Sequence, residues 1–339
     1  MNAGNQIVTT HRCVQWLFLR ALGLVYFIAF VSIGLQINGL IGSNGILPAQ
    51  DYLRVLANYL PPDTRIFAVP TLAWYNSSDG FLQFLCWGGA LAGLGVFLSI
   101  AVVPLLIVAW IFYLSLTNIG QDFLSFQWDI LLLEAGFLAM FWSPWELLSA
   151  PWRKKLQLTP EPKTFIILLW LYRWLLFRLM FLSGSVKLLS GDPTWRHLTA
   201  LKYHYFTQPL PTPLAWLMNQ MPSWYQSVSV GAVFLIEMAV PFLFFFPRPF
   251  RVVAAALTVM LQLAILLTGN YTFFNLLTIA LCIPLLDDAL VKKVVPERLW
   301  ARSVDDEAGS RPPLPTKGTA KIRRAATAIA AALVVVSTS

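Results

Sequence analysis

The chain has 339 residues, of which 58% are hydrophobic and only 12% charged, and its mean hydropathy is +0.66. Soluble domains carry about 25% charged residues, so a soluble single-core protein is excluded. Disorder is excluded too, because 24 Phe, 14 Trp and 10 Tyr are too much apolar surface to leave in water. The net charge of +8 reads as the basic loops of a membrane protein, and no nucleic-acid partner is expected.

Continuous apolar runs fall at 16–37, 81–100, 104–118, 126–142, 164–189, 224–246, 250–269, 272–286 and 322–336. Unbroken runs predict helices, since barrel strands alternate apolar and polar residues. The expected fold is an all-α polytopic transmembrane bundle with about 8–9 membrane helices of roughly 20 residues each, joined by two long outer loops, 38–80 and 190–223. The bundle is expected over 1–302, a flexible inner linker over 303–321, and a last helix over 322–339 that is either a short terminal span or one cut short. Pro104 is the expected break between the second and third runs, and one of those short halves can be re-entrant. The first run is longer than a signal-peptide core and no small-residue cleavage site follows it.

Placing the N-terminus inside puts 17 of the 24 Lys and Arg residues on inner segments and 4 on outer ones. That asymmetry sets the orientation. Trp142, Trp145 and Trp152 then form an inner interfacial belt, and Trp195, Trp216 and Trp224 an outer one. In the first outer loop, Tyr52, Leu53, Leu56, Tyr59 and Leu60 share one face of a predicted surface helix. In the second, Pro209, Pro211 and Pro213 impose an extended, non-helical stretch. Asn76-Ser77-Ser78 and Asn270-Tyr271-Thr272 are acceptor sequons that matter only in a secretory-pathway host.

Six charges lie inside predicted spans: Asp129 and Glu134 in the fourth, Arg173, Arg178 and Lys187 in the fifth, and Glu237 in the sixth. Each costs at least a few kcal/mol in hydrocarbon unless paired or hydrated. Counting residues places Asp129 and Lys187 within about a turn of the outer boundary, and Glu134, Arg178 and Glu237 deeper. One reading makes these groups structural pairs, with Glu134 and Arg178 as partners and Glu237 as the next candidate for Arg178. The other has Lys187 and Asp129 line an outward-facing site in which a desolvated lysine acts as base.

A dense polar and aromatic run follows Lys187: Gly191, Asp192, Pro193, Thr194, Trp195, His197, then Tyr203, His204, Tyr205, Gln208 and Pro209. Gly191-Asp192-Pro193 ends the fifth helix, and Asp192 or Thr194 caps the next. If 194–206 is one helix, His197 and His204 share a face. No third metal ligand is near, so no metal site is expected. Cys13, Cys86 and Cys282 are scattered, without a CxxC or a disulfide framework. No cofactor is expected.

The stretch from Phe126 to Phe137, which contains Gln127, Trp128, Asp129 and Glu134, resembles the fourth-span signature of the lipase maturation factor family. The block from Arg178 to Pro213 is similar to that family's longest motif, and Gly45-Ile46-Leu47-Pro48-Ala49 to its early one. The resemblance covers roughly residues 16 to 320. It implies a polytopic membrane protein that helps secreted lipases fold, assemble and leave their compartment. The location implied is the endoplasmic reticulum membrane in a eukaryote, or the cell inner membrane in a bacterium. The partners implied are the lipid bilayer and a client lipase or other exported protein. The family also resembles the vitamin K-dependent carboxylase, in which a lysine follows a similar apolar and glycine run. Lys187, after Phe181-Leu182-Ser183-Gly184-Ser185-Val186, is where that base would map. A membrane enzyme with carboxylase-like or lipid-directed chemistry is therefore the alternative reading, and a non-catalytic maturation factor the first.

Overall fold

The computed structural model of the protein describes residues 11–143 and 163–295. The linker at 303–321 and the run at 322–336 lie outside the described residues. Every regular element among the described residues is helical. They form two compact units, one of residues 19–143 and one of residues 11–18 and 163–295.

The first unit holds most of α1 (Arg12–Gly34), then α2 (Ile37–Ile41), α3 (Ala49–Tyr59), α4 (Arg65–Ala68), α5 (Asp79–Phe97), α6 (Val102–Ile119) and α7 (Gln127–Trp142). Its core is aromatic: Tyr26, Phe30 and Tyr113 are fully buried, with edge-to-face ring separations of 6.1 and 5.4 Å around Tyr113. The Tyr26 hydroxyl donates to the Leu132 carbonyl at 3.2 Å and ties α1 to α7. Helices α1 and α5 touch through their backbones. A Cβ on Gly23 would lie 2.5 Å from the Phe97 nitrogen and 2.9 Å from the Gly93 carbonyl oxygen. The second and third apolar runs separate at 98–101, where Ser99 and Ala101 take φ of 61° and 41°. Pro104 is not the break. It lies in the first turn of α6, where its missing N–H costs nothing.

The stretch 38–80, expected as a long loop with one helix, is a packed series of short helices. Ile46 and Leu47 N–H groups donate back to the Gly39 and Leu40 carbonyls at 3.0 and 2.9 Å. Asp79 accepts from the Ser43 backbone and hydroxyl at 2.7 and 2.8 Å, and Thr71 donates to the Ser115 carbonyl at 3.0 Å. On α3 the expected apolar face splits: Leu53 is buried, whereas Tyr59 is 80% exposed.

The second unit comprises α8 (Lys163–Leu189), α9 (Pro193–Arg196), α10 (Leu201–Thr207), α11 (Pro213–Asn219), α12 (Ser223–Phe234), α13 (Arg248–Thr268), α14 (Phe274–Cys282) and α15 (Asp288–Val294). Helix α12 runs on through a π turn, Leu235–Ala239, into a 3-10 stretch, Val240–Phe245. That stretch packs its rings on α8: Phe177 lies 5.2 Å from Phe242 and 5.4 Å from Phe245, and Trp170 stacks on Phe245 at 5.9 Å. At the other end of the unit, Asp287 caps α15 and pairs with Arg248 at 2.6 Å. Asp288 accepts from the N–H groups of Arg12 and Val14 at 2.9 and 3.0 Å, closing the start of α1.

Among the described residues six helices are long and apolar enough to cross a membrane: Arg12–Gly34, Asp79–Phe97, Val102–Ile119, Phe165–Leu189, Ser223–Phe245 and Arg248–Thr268. Helix α7, with 16 residues, and the apolar stretch Phe274–Leu285 are shorter. All eight coincide with apolar runs in the sequence.

Candidate functional site

Lys187 is the last basic residue of α8, and its side chain folds back along its own helix. Helical side chains lean toward the N-terminus, and its ammonium donates to the Ser183 carbonyl one turn back, at 3.2 Å. There it meets Glu237, whose carboxylate oxygens lie 2.6 and 2.8 Å from Nζ. The lysine side chain is 23% exposed and the glutamate 6%. Glu237 occupies the middle of the π turn, and Gly184 lets that turn approach. A Cβ there would lie 2.5 Å from Met238 Cγ and 3.1 Å from Glu237 Cβ. The Trp195 ring lies 5.5 Å from the ammonium and stacks edge-on against Phe234. The partner of Lys187 is thus Glu237, which the residue count had placed deeper.

The run after Lys187 is local structure of three kinds. Gly191 ends α8 in the left-handed region, φ 78°, which a Cβ disfavours. Asp192 caps α9 by accepting from the Thr194 N–H at 2.8 Å, with Pro193 in the first turn, as the sequence predicts. The expected single helix over 194–206 is broken at Leu198, which has φ 55°. His197 therefore lies in the break, exposed, and the shared face with His204 does not form. Among the described residues no group of three or more His, Cys, Asp or Glu is placed to hold a metal ion.

His204 instead faces Tyr271, with Nε2 and the phenol oxygen 3.1 Å apart and the rings parallel. Gln208 is buried and donates to the Thr268 carbonyl at 2.7 Å, and Thr212 donates to that of Leu267 at 2.7 Å. These side chains satisfy carbonyls that the end of α13 leaves open. Tyr205 is buried in a small core with Leu201, Ala215 and Val230, whereas Tyr203 and Pro209 are exposed. Burial and the nearby Lys187 ammonium hold the His204 pKa below its usual value. A histidine depressed in the folded state contributes stability above about pH 6.5 and loses it as the pH falls through the folded pKa. His204→Gln keeps a partner for Tyr271 but does not titrate. Its thermal midpoint should fall less than that of the parent between pH 7.5 and 5.5 in detergent melts.

Asp129 is buried in the other unit. It accepts from the Tyr113 hydroxyl at 2.6 Å and from the Phe126 N–H at 3.3 Å, closing the first turn of α7. Gln127 is exposed at that helix start, and Trp128 stacks on Phe126 at 4.5 Å. Of the other span charges, Glu134 and Arg178 are half-buried, whereas Arg173 is buried with its guanidinium 5.3 Å from the Trp170 ring. Sequence reasoning missed Tyr113 and Tyr271. A buried carboxylate needs a donor, and Tyr113 in the preceding apolar run is one of few side chains able to supply it.

Long apolar helices with a buried ion pair between two of them define a polytopic α-helical membrane protein. Residues 13–293 match the lipase maturation factor transmembrane domain, and the chain belongs to the lipase maturation factor family. It is 50% identical over 280 residues to Lipase maturation factor 2 of Gallus gallus, covering 80% of this chain and 38% of that protein. The Homo sapiens Lipase maturation factor 2 is 45% identical over 289 residues, 82% of this chain and 40% of the relative. Lipase maturation factor 1 of Mus musculus is 35% identical over 302 residues, 84% and 50% respectively. The chain thus spans between 38% and 50% of the length of these relatives. No solved structure matches it.

Proposed function

We propose that the chain is a membrane-embedded maturation factor for exported lipases or similar hydrolases. Its membrane would be the endoplasmic reticulum in a eukaryotic cell and the inner membrane in a bacterial one. The observation that carries this reading is the unbroken match of residues 13–293 to a family whose members bear that function in their names. In each unit the working segments are those on the outer side: 38–80 and the outer end of α7 in one, the outer ends of α8 and α12 and 190–223 in the other.

In this reading α7 and Phe274–Leu285 also cross, which gives eight crossings among the described residues. Without α7, the basic start of α8 at Lys163 would lie outside. Without Phe274–Leu285, Lys292 and Lys293 would follow it there.

The role of Lys187 separates this reading from the enzymatic one. An ammonium held by a carboxylate at 2.6 Å, a carbonyl and an aromatic ring is satisfied as a cation, whereas a base must be neutral for part of its cycle. Lys187→Arg keeps the charge and does not titrate near neutral pH. The variant should support secretion of a co-expressed active lipase at close to the parent level, read as lipase activity in the medium. A well-folded, normally abundant Lys187→Arg protein without maturation activity would transfer the case to the enzyme.

A further inference from the structure

We propose that α10 and α11 form a hairpin immersed in the outer lipid leaflet, with an aromatic face turned toward phospholipid, and not a loop standing in water. The inference is independent of what the protein matures. Its first support is the distribution of charge. Residues 203–222, from the first turn of α10 to the span that follows, contain no Asp, Glu, Lys or Arg, whereas the stretch 38–80 contains five. Water-exposed segments are rarely so long without a charge, and headgroup-level segments favour Trp and Tyr instead.

The second support is exposure. Trp216, Leu210, Phe206 and Tyr203 are 64%, 65%, 59% and 53% exposed. On α11, Leu214 and Leu217 follow one another at helical spacing on the outward side, while Ala215 faces inward and is fully buried. Apolar side chains are also exposed on the outer parts of the adjoining spans, Val186 and Leu189 of α8 and Trp224 and Val228 of α12, surfaces that face lipid in a bilayer.

The third support is depth. The hairpin's small core includes Val230, with Phe234 packed against it. At about 1.5 Å per residue, Val230 lies about 10 Å and Phe234 about 16 Å along the helix from Ser223. The span Ser223–Phe245 has 23 residues, so only about a turn of it extends beyond a hydrocarbon core of about 30 Å. The residues packed on Val230 are therefore below the headgroups. The bonds from Gln208 and Thr212 to the Thr268 and Leu267 carbonyls pin the connecting segment at the mouth of α13. A segment held there meets acyl chains and glycerol, for which amphipathic rings are suited.

The test uses single cysteines at Phe206, Leu210 and Trp216, each carrying a nitroxide, in the full chain reconstituted into phosphatidylcholine vesicles. Native Cys13, Cys86 and Cys282 are buried, and an Arg196→Cys label, in the exposed stretch before the hairpin, gives the water reference. Oxygen concentrates in the bilayer and a nickel chelate stays in water. The expected result is oxygen collisions exceeding chelate collisions several-fold at the three hairpin sites, and the reverse at Arg196. Chelate collisions at the three sites equal to those at Arg196 would overturn the proposal. So would spin–spin broadening at all three, which would mean that a second copy covers the face. Each replaced side chain is more than half exposed, and monodisperse gel filtration of any two labelled variants suffices for the comparison.

Discussion

Lys187→Ala should abolish most of the folded protein, and Glu237→Ala should do less damage. Breaking a buried ion pair leaves the survivor charged in an apolar setting, at a cost of about 3–5 kcal/mol. That is comparable to the whole stability of many domains, about 5–15 kcal/mol. The asymmetry follows from position. Glu237 is 6% exposed, in the middle of a helix, and has no route to water. Lys187, 23% exposed and two residues from the end of α8, can swing outward when its partner is lost. The double variant Lys187→Met, Glu237→Met should regain yield, because apolar replacements of a buried pair are often neutral or stabilising. Fluorescence-detected gel filtration of the solubilised protein measures all three. Equal, additive losses would mean that the two residues do not stabilise each other.

The close approach of α1 and α5 should be equally intolerant. Gly23→Ala places a methyl 2.5 Å from the Phe97 nitrogen, and because that atom is backbone no rotamer change relieves it. Overpacking of this kind costs about 1–3 kcal/mol for one methyl. Gly23→Leu requires the helices to separate and should leave no monodisperse protein. Gly80→Ala, whose new Cβ meets nothing within 4 Å, is the matched control and should leave the thermal midpoint nearly unchanged. A Gly23→Leu protein with parental yield would show that this contact is not formed.

Span positions were legible in the sequence because continuous apolar length is a direct statement about a membrane-sized helix. The stop at Gly191 and the cap at Asp192 were legible for a similar reason, since Gly-Asp-Pro carries its own backbone chemistry. The Lys187–Glu237 pair was not. Counting along α12 assumes a uniform rise, and counting along α8 ignores that a lysine side chain can fold back a full turn. The hydrogen bonds linking Gln208, Thr212 and His204 to residues some 55–67 positions away were equally hidden, because residues 267–271 lie two spans further along the chain, at and just past the end of α13. The compact 38–80 stretch was misjudged because its order comes from backbone bonds and from side-chain bonds such as Ser43 to Asp79 and Thr71 to the Ser115 carbonyl, which leave little hydrophobic periodicity.

The π turn at Leu235–Ala239 amounts to one residue inserted into an otherwise regular helix. An α-helix advances about 100° per residue, so the insertion offsets the angular phase of everything after it by about that amount. The outer part of the span, carrying Val230 and Phe234, and the inner part, carrying Phe242 and Phe245, thus face their partners in two different frames. Deleting a single residue between 235 and 239 would merge the frames and rotate one set of contacts away. Chain length at this position is therefore fixed as tightly as the identity of Glu237 itself.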